Sequence, residues 1–108
     1  MVVSIQVSPQ QNKERYTTMA RILKTDGSEE QVSPKNGKYF VAEEIHGFVG
    51  GYFEIIITLR SDRLMFGNED AKRLRLPLNR KATEIAAWLR PGDYVSGDVL
   101  IVSKDEVD

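Results

Sequence analysis

His46 is the only histidine in this sequence, and it sits near the carboxylates Glu43 and Glu44. A transition-metal site would need a second imidazole or a thiolate beside it. With zero cysteines there is no thiolate, no disulfide framework and no Cys nucleophile. A Ser-His-Asp triad would have to use His46 as its base, yet no Gly-x-Ser-x-Gly elbow presents a serine. The carboxylates Glu54, Glu69, Asp93 and Asp98 could pair for acid–base work, but none has a partner at a defined spacing. Glu54 lies inside an apolar run and reads as a salt-bridge partner for Arg80. These residues lead us to expect a protein that is not an enzyme and uses no metal or cofactor.

Two further segments invite a chemical reading. Gly47-Phe48-Val49-Gly50-Gly51 is glycine-rich like a phosphate loop, but such a loop needs its glycines after a strand and before a helix. Here the order is helix, glycines, strand, so the glycines read as a helix cap. Lys72-Arg73-Leu74-Arg75 with Arg80-Lys81 forms a basic cluster that could meet a phosphate backbone or an acidic protein. Phe66 and Trp88 are near it in sequence, but no RNA-binding aromatic signature accompanies it. An isoelectric point near 5.9 argues against a dedicated DNA binder, and a net charge of −1 is too small for a DNA mimic.

A chain of 108 residues allows one domain that buries roughly two-thirds of its unfolded surface. With 41% hydrophobic and 29% charged residues it should fold into a packed globule. The net charge hides a segregation: residues 1–25 carry a balance of +3, residues 26–54 −4, residues 55–81 +4 and the last sixteen residues −4. The longest apolar run is far below the ~18 residues of a membrane helix. Met1-Val2-Val3-Ser4-Ile5-Gln6 turns polar too early for a signal peptide. We therefore expect no membrane and a cytoplasmic location in a bacterial host cell.

Hydrophobic spacing places the elements. Val3, Ile5 and Val7 alternate as in a strand up to Pro9, and residues 10–18 read as a linker. Met19–Lys24 predicts a strand, and Asp26-Gly27 a hairpin turn into a return strand over Glu29–Ser33. Val41, Ile45, Phe48 and Val49 share a helical face from about Phe40 onward, with Gly50 placed to cap it in a left-handed conformation. The nearly continuous apolar run Tyr52–Leu59 predicts the central strand, buried on both faces. Leu64-Met65-Phe66 predicts another strand, with a further one possible at Arg73–Leu76. Asn79 should N-cap a second helix with Ala82, Ile85, Ala86 and Leu89 inward. Tyr94–Ser103 predicts the last strand, with a bulge or close backbone approach at Gly97. The fold class expected is α+β: a mainly antiparallel sheet of roughly four to six strands with two helices on one face. The core should hold Ile22, Leu23, Ile45, Val49, Phe53, Ile55, Ile57, Leu64, Ile85, Leu89, Val99 and Ile101. The domain spans 19–104, with residues 1–18 as an extension and 105–108 as an acidic tail.

The ordered set Lys-Thr-Asp-Gly, Val-Gly-Gly-Tyr, Asn-Glu, Leu-Pro-x-Asn-Arg and Gly-Asp-Val-Leu-Ile-Val resembles a family of small proteins from phages, plasmids and conjugative elements. That family is catalogued as a domain of unknown function, and the likeness covers about residues 20–103. Matching positions are Val49, Gly50, Gly51, Tyr52, Glu54, Asn68, Glu69, Leu76, Pro77, Asn79, Arg80, Gly97 and Val102. The chain departs from the pattern at Arg60–Arg63, which is more basic, and at Asp70–Arg73, which replaces a glycine-containing turn. The resemblance implies a mobile-element accessory protein acting by macromolecular binding. Anti-defence proteins, for example anti-CRISPR inhibitors, are associated with that setting.

The expected binding surface comprises Tyr52, Glu54, Asn68, Glu69, Lys72, Arg73, Arg75, Asn79 and Arg80, with Asp26, Gly27, Gly50, Gly51 and Gly97 as turn and cap residues. The expected partner is a protein of the host or the mobile element. The alternatives are nucleic acid, held through Lys72–Arg75 and Arg80-Lys81, or a nucleotide-like ligand near Tyr52, Glu54 and Asn68. Deleting residues 1–18 should leave the melting temperature within a few degrees, as checked by calorimetry.

Overall fold

Asp26 and Gly27 close the first hairpin. The computed structural model describes residues 20–59, 62–87 and 91–107, so the Val3–Val7 segment, the extension 1–18 and Leu89 lie outside the described residues. Ala20–Leu23 (β1) and Glu29–Val32 (β2) pair antiparallel. The Asp26 carboxylate accepts from the backbone N–H and the hydroxyl of Ser28 at 2.8 and 2.6 Å. Ala42–Val49 then form helix α1, which buries Ile45 and Val49. At its start the Glu44 carboxylate accepts the N–H groups of Val41 and Lys35, each at 3.0 Å. At its end Gly50 adopts φ +83°, a left-handed conformation open to glycine at little cost. Phe53–Leu59 (β3), Arg63–Asn68 (β4), Arg80–Ala86 (α2) and Val99–Ser103 (β5) follow, with a 3-10 turn at Lys104–Glu106.

The strands form one five-stranded sheet in the order β2-β1-β5-β4-β3, antiparallel throughout. This is the α+β class expected. Strand alternation sends Ala20, Ile22, Leu64, Phe66, Leu100 and Val102 to one face, where they meet Phe40 and Ile45. Leu23, Met65, Val99 and Ile101 take the other face with Ala82 and Ala86 of α2. The two helices thus lie on opposite faces and not together on one. The reason is that β5 is buried along all five residues, so both faces present apolar side chains and each needs cover.

The centre of the sheet is β5, and the apolar run 53–59 forms an edge. This corrects the expectation that it is central and doubly buried. A bulge between Ile55 and Ile57 shifts the register against β4, and Ile56 and Ile57 both pack toward the α2 side. Ile55 points to the other face and is 53% exposed, which removes it from the expected core. It lines an apolar groove of about 410 Å³ with Val41, Ile45, Phe53, Phe66 and Val107, where α1 leaves the sheet uncovered. Phe53 and Ile85 are partly buried against the two clusters.

Arg73–Leu76 is not a strand. Bonds from Leu74 N–H to Asp70 O at 2.8 Å and from Leu76 N–H to Ala71 O at 3.0 Å wind it into successive turns. The last strand begins at Val99 and not at Tyr94.

These positions separate two substitutions of similar chemistry. Leu100→Ala in the fully buried centre should cost about 2–5 kcal/mol in urea unfolding. Ile55→Ala at the open edge should cost no more than about 1 kcal/mol.

Candidate functional site

The strand register brings the marked segments to one end of the sheet. Leu23 ends β1 opposite Val99, which starts β5, while Phe53 starts β3 opposite Asn68, which ends β4. The connections that leave this end are the Lys24–Ser28 turn, Gly50–Tyr52, residues 69–79 and Ser96–Asp98. They carry nearly every residue of the sequence motifs.

Asn68 and Asn79 hold these connections together. The Asn68 side-chain amide donates to the Val49 carbonyl at 3.3 Å, and its oxygen accepts the Asp70 N–H at 2.8 Å. Asn79 is fully buried. Its side-chain oxygen caps α2 by accepting the Ala82 N–H at 3.1 Å. Its nitrogen donates to the carbonyls of Leu23 and Gly97 at 2.8 and 2.9 Å. Gly97 has φ +81°, so a larger residue there would strain the backbone and its Cβ, 2.9 Å from a Leu76 methyl, would push that side chain aside. The Gly97 N–H in turn donates to Pro77 O, and the Asn79 N–H to Val95 O, both at 2.8 Å. The geometry therefore gives both asparagines to the frame.

The other expected site residues divide into exposed and paired groups. Tyr52 is exposed, and its ring meets His46 edge-on at 5.2 Å, so His46 is a half-buried packing residue more than a free surface group. Glu69 is exposed, and its N–H donates to Tyr52 O at 3.0 Å. Glu54 lies exposed on β3 and no ion pair joins it to Arg80, which opens α2 in the solvent. Lys72 pairs with Asp93 at 2.5 Å and lies over the Tyr94 ring at 4.5 Å. Arg73 pairs with Asp70 at 3.2 Å and Lys81 with Glu29 at 3.1 Å. Arg75 takes a left-handed φ of +57° in its turn. Sequence reading missed Leu74 and Tyr94, exposed to 50% and 49%. Their signal was an apolar and an aromatic residue standing in otherwise polar loops.

Two clefts flank Asn68. The smaller, of about 110 Å³, brings together Glu54, Asn68, Glu69, Lys72 and Tyr94 without Tyr52. It falls below the roughly 300–1,000 Å³ of small-molecule sites. The larger, of about 380 Å³, lies among Phe48, Gly50, Leu76, Pro77, Gly97 and Asp98. Among the described residues no three acidic or histidine side chains gather closely enough to hold a metal ion. Nor is any described helix long and apolar enough to cross a membrane.

Fold and site together define a small α+β domain whose marked connections gather at one end of an antiparallel sheet. Residues 10–108 match the family described as domain of unknown function (DUF3846), and the chain belongs to it. No curated protein and no solved structure matches the chain.

Asn79→Ala removes a helix cap, a loss of about 1 kcal/mol, and deletes two buried hydrogen bonds to the Leu23 and Gly97 carbonyls, about 1 kcal/mol each. Urea unfolding should show a loss of roughly 3 kcal/mol. Acid stability has a second source. The Val41 N–H, and then that of Lys35, holds the Glu44 carboxyl below its ordinary value of 4.5. A depressed folded value means stability that is complete above the ordinary value and lost as pH falls through the folded one. Burial pushes Glu106 the other way, so its contribution declines as pH rises through its raised folded value. Glu44→Gln should therefore flatten the fall of melting temperature below about pH 4.5, followed by circular dichroism.

Proposed function

We propose that this is a mobile-element accessory protein that works by binding a protein of its bacterial host in the cytoplasm and catalyses nothing. The ordered motif set supports the setting, and an anti-defence inhibitor such as an anti-CRISPR is the kind of protein that setting suggests. One observation carries the binding reading. Four connections meet at one sheet end around the buried, hydrogen-bonded Asn68 and Asn79, where Leu74 and Arg75 of the 69–79 connection, with Tyr94 beside Lys72, are exposed. Loops fixed on a rigid scaffold are where recognition groups are placed. Tyr and Arg are the side chains that most often dominate protein interfaces.

The nucleic-acid alternative loses ground on the pairing of its bases. Of the five expected contacts, Lys72, Arg73 and Lys81 already engage Asp93, Asp70 and Glu29. Arg75 and Arg80 make too small a cationic track for a phosphate backbone.

Affinity capture from host cells, with the doubly substituted Leu74→Ser/Arg75→Glu chain beside the unaltered one, tests the reading. We expect the unaltered chain to retain a specific protein, and the variant to lose it with an unchanged melting temperature. Equal retention by both would overturn the assignment of this surface. Retention on DNA or RNA that falls steeply with salt would favour the alternative.

A further inference from the structure

The larger cleft has an electrostatic character of its own. Its wall includes Gly47, Phe48, Val49 and Gly50, the last turn and cap of α1. A helix C-terminus carries roughly half a negative charge on carbonyls that lack intrahelical donors. Here the N–H groups of Gly50 and Gly51 both turn to the His46 carbonyl, at 2.8 and 3.1 Å, and the Val49 carbonyl is taken by Asn68. The carbonyls of Gly47 and Phe48 are thus left without a donor among the described residues. Asp98 adds a full negative charge to the same cleft. One of its oxygens accepts the Thr25 N–H at 3.0 Å, and no described group bonds the other.

Among the described residues, the protein's own cations do not fill this site. Lys24 feels the charge of Asp98 but its ammonium bonds Glu30 at 3.0 Å. Arg73 is held by Asp70, and Arg75 is not part of the wall. Leu74, Leu76 and Pro77 give the wall an apolar stretch, beside Thr25, Asn68 and Gly97. Carbonyls and a carboxylate above an aliphatic wall suit a long side chain with an apolar stem and a cationic head.

We propose that the cleft receives an arginine side chain of the protein partner. Its stem lies along Leu76 and Pro77, and its guanidinium donates to the Gly47 and Phe48 carbonyls and to Asp98. Arginine fits better than lysine, because five donors in a rigid plane can bridge acceptors on separate segments and a guanidinium sheds its water more readily. The inference rests on the protein-binding reading and names the partner chemistry of that surface.

The test uses the full chain in solution and needs no partner. Acetyl-Gly-Arg-Gly-amide and its citrulline counterpart are titrated while backbone amide signals are followed by NMR. The arginine peptide should shift Thr25, Gly50 and Gly97 in a saturable way, and the citrulline peptide should not. Asp98→Asn keeps an oxygen for the Thr25 N–H, so it should preserve the remaining spectrum and weaken the arginine peptide several-fold. No shift with arginine, equal shifts with citrulline, or undiminished binding by a folded Asp98→Asn chain would overturn the proposal. If that variant does not fold, the arginine–citrulline comparison on the unaltered chain decides. A negative titration leaves capture through Leu74 and Arg75 standing, whereas equal capture by the unaltered and Leu74→Ser/Arg75→Glu chains, with peptide binding retained, would sink the surface assignment alone.

Discussion

The side-chain amide of Asn79 joins three pieces of chain that nothing covalent brings together. Its oxygen starts α2, and its nitrogen ties down the last carbonyl of β1 and the turn before β5. Away from water each of these bonds is stronger than it would be at the surface, and leaving any one unmade is correspondingly costly. The chain between β4 and α2 must therefore return to the sheet at one fixed point. Pro77 and Val95, bonded to Gly97 and Asn79, extend that constraint outward. Residues 69–76 are consequently tethered at both ends and tied by turn hydrogen bonds, although none of them belongs to a helix or strand.

A second constraint is the mismatch between sheet and helices. Five strands span about 19 Å from edge to edge at ~4.8 Å spacing, and an eight-residue helix such as α1 is about 12 Å long. One such helix cannot cover a face whose inner strands are apolar throughout. The remainder of that face is the groove beside Ile55, while α2 attends to the other side. The shortage of cover follows from chain length, since the apolar demand of β5 is met first on both of its faces.

Features fixed by neighbouring residues were legible in the sequence. Asp26-Gly27, the left-handed Gly50 and the Asn79 cap each depend on a backbone angle or bond within a few residues, and all three hold. The order of strands was not legible. Phe53–Leu59 and Val99–Ser103 are both apolar runs, and composition does not say which has neighbours on two sides. The bulge in β3 is likewise set by its pairing with β4 and leaves no local mark. The segment 73–76 alternates like a strand, but its backbone is claimed by turns anchored on Asp70 and Ala71. At the site, the motif residues converge on one end of the molecule. Their types could not tell exposed groups from buried ones, because an asparagine that binds a ligand and one that binds three backbone groups read alike.

The two borders of the sheet differ in how they meet another strand. On one side, among the described residues, β2 shows the exposed run Glu29-Glu30-Gln31, whose carboxylates are engaged by Arg21, Lys81 and Lys24 in a charged margin that an added strand would have to disrupt. On the other, the bulge in β3 breaks the even ladder that an incoming backbone would need. Lateral growth into a longer sheet is discouraged at both margins, by charge at one and by shape at the other. The described sheet is thus a poor template for further strands of its own kind, despite its many β-branched residues.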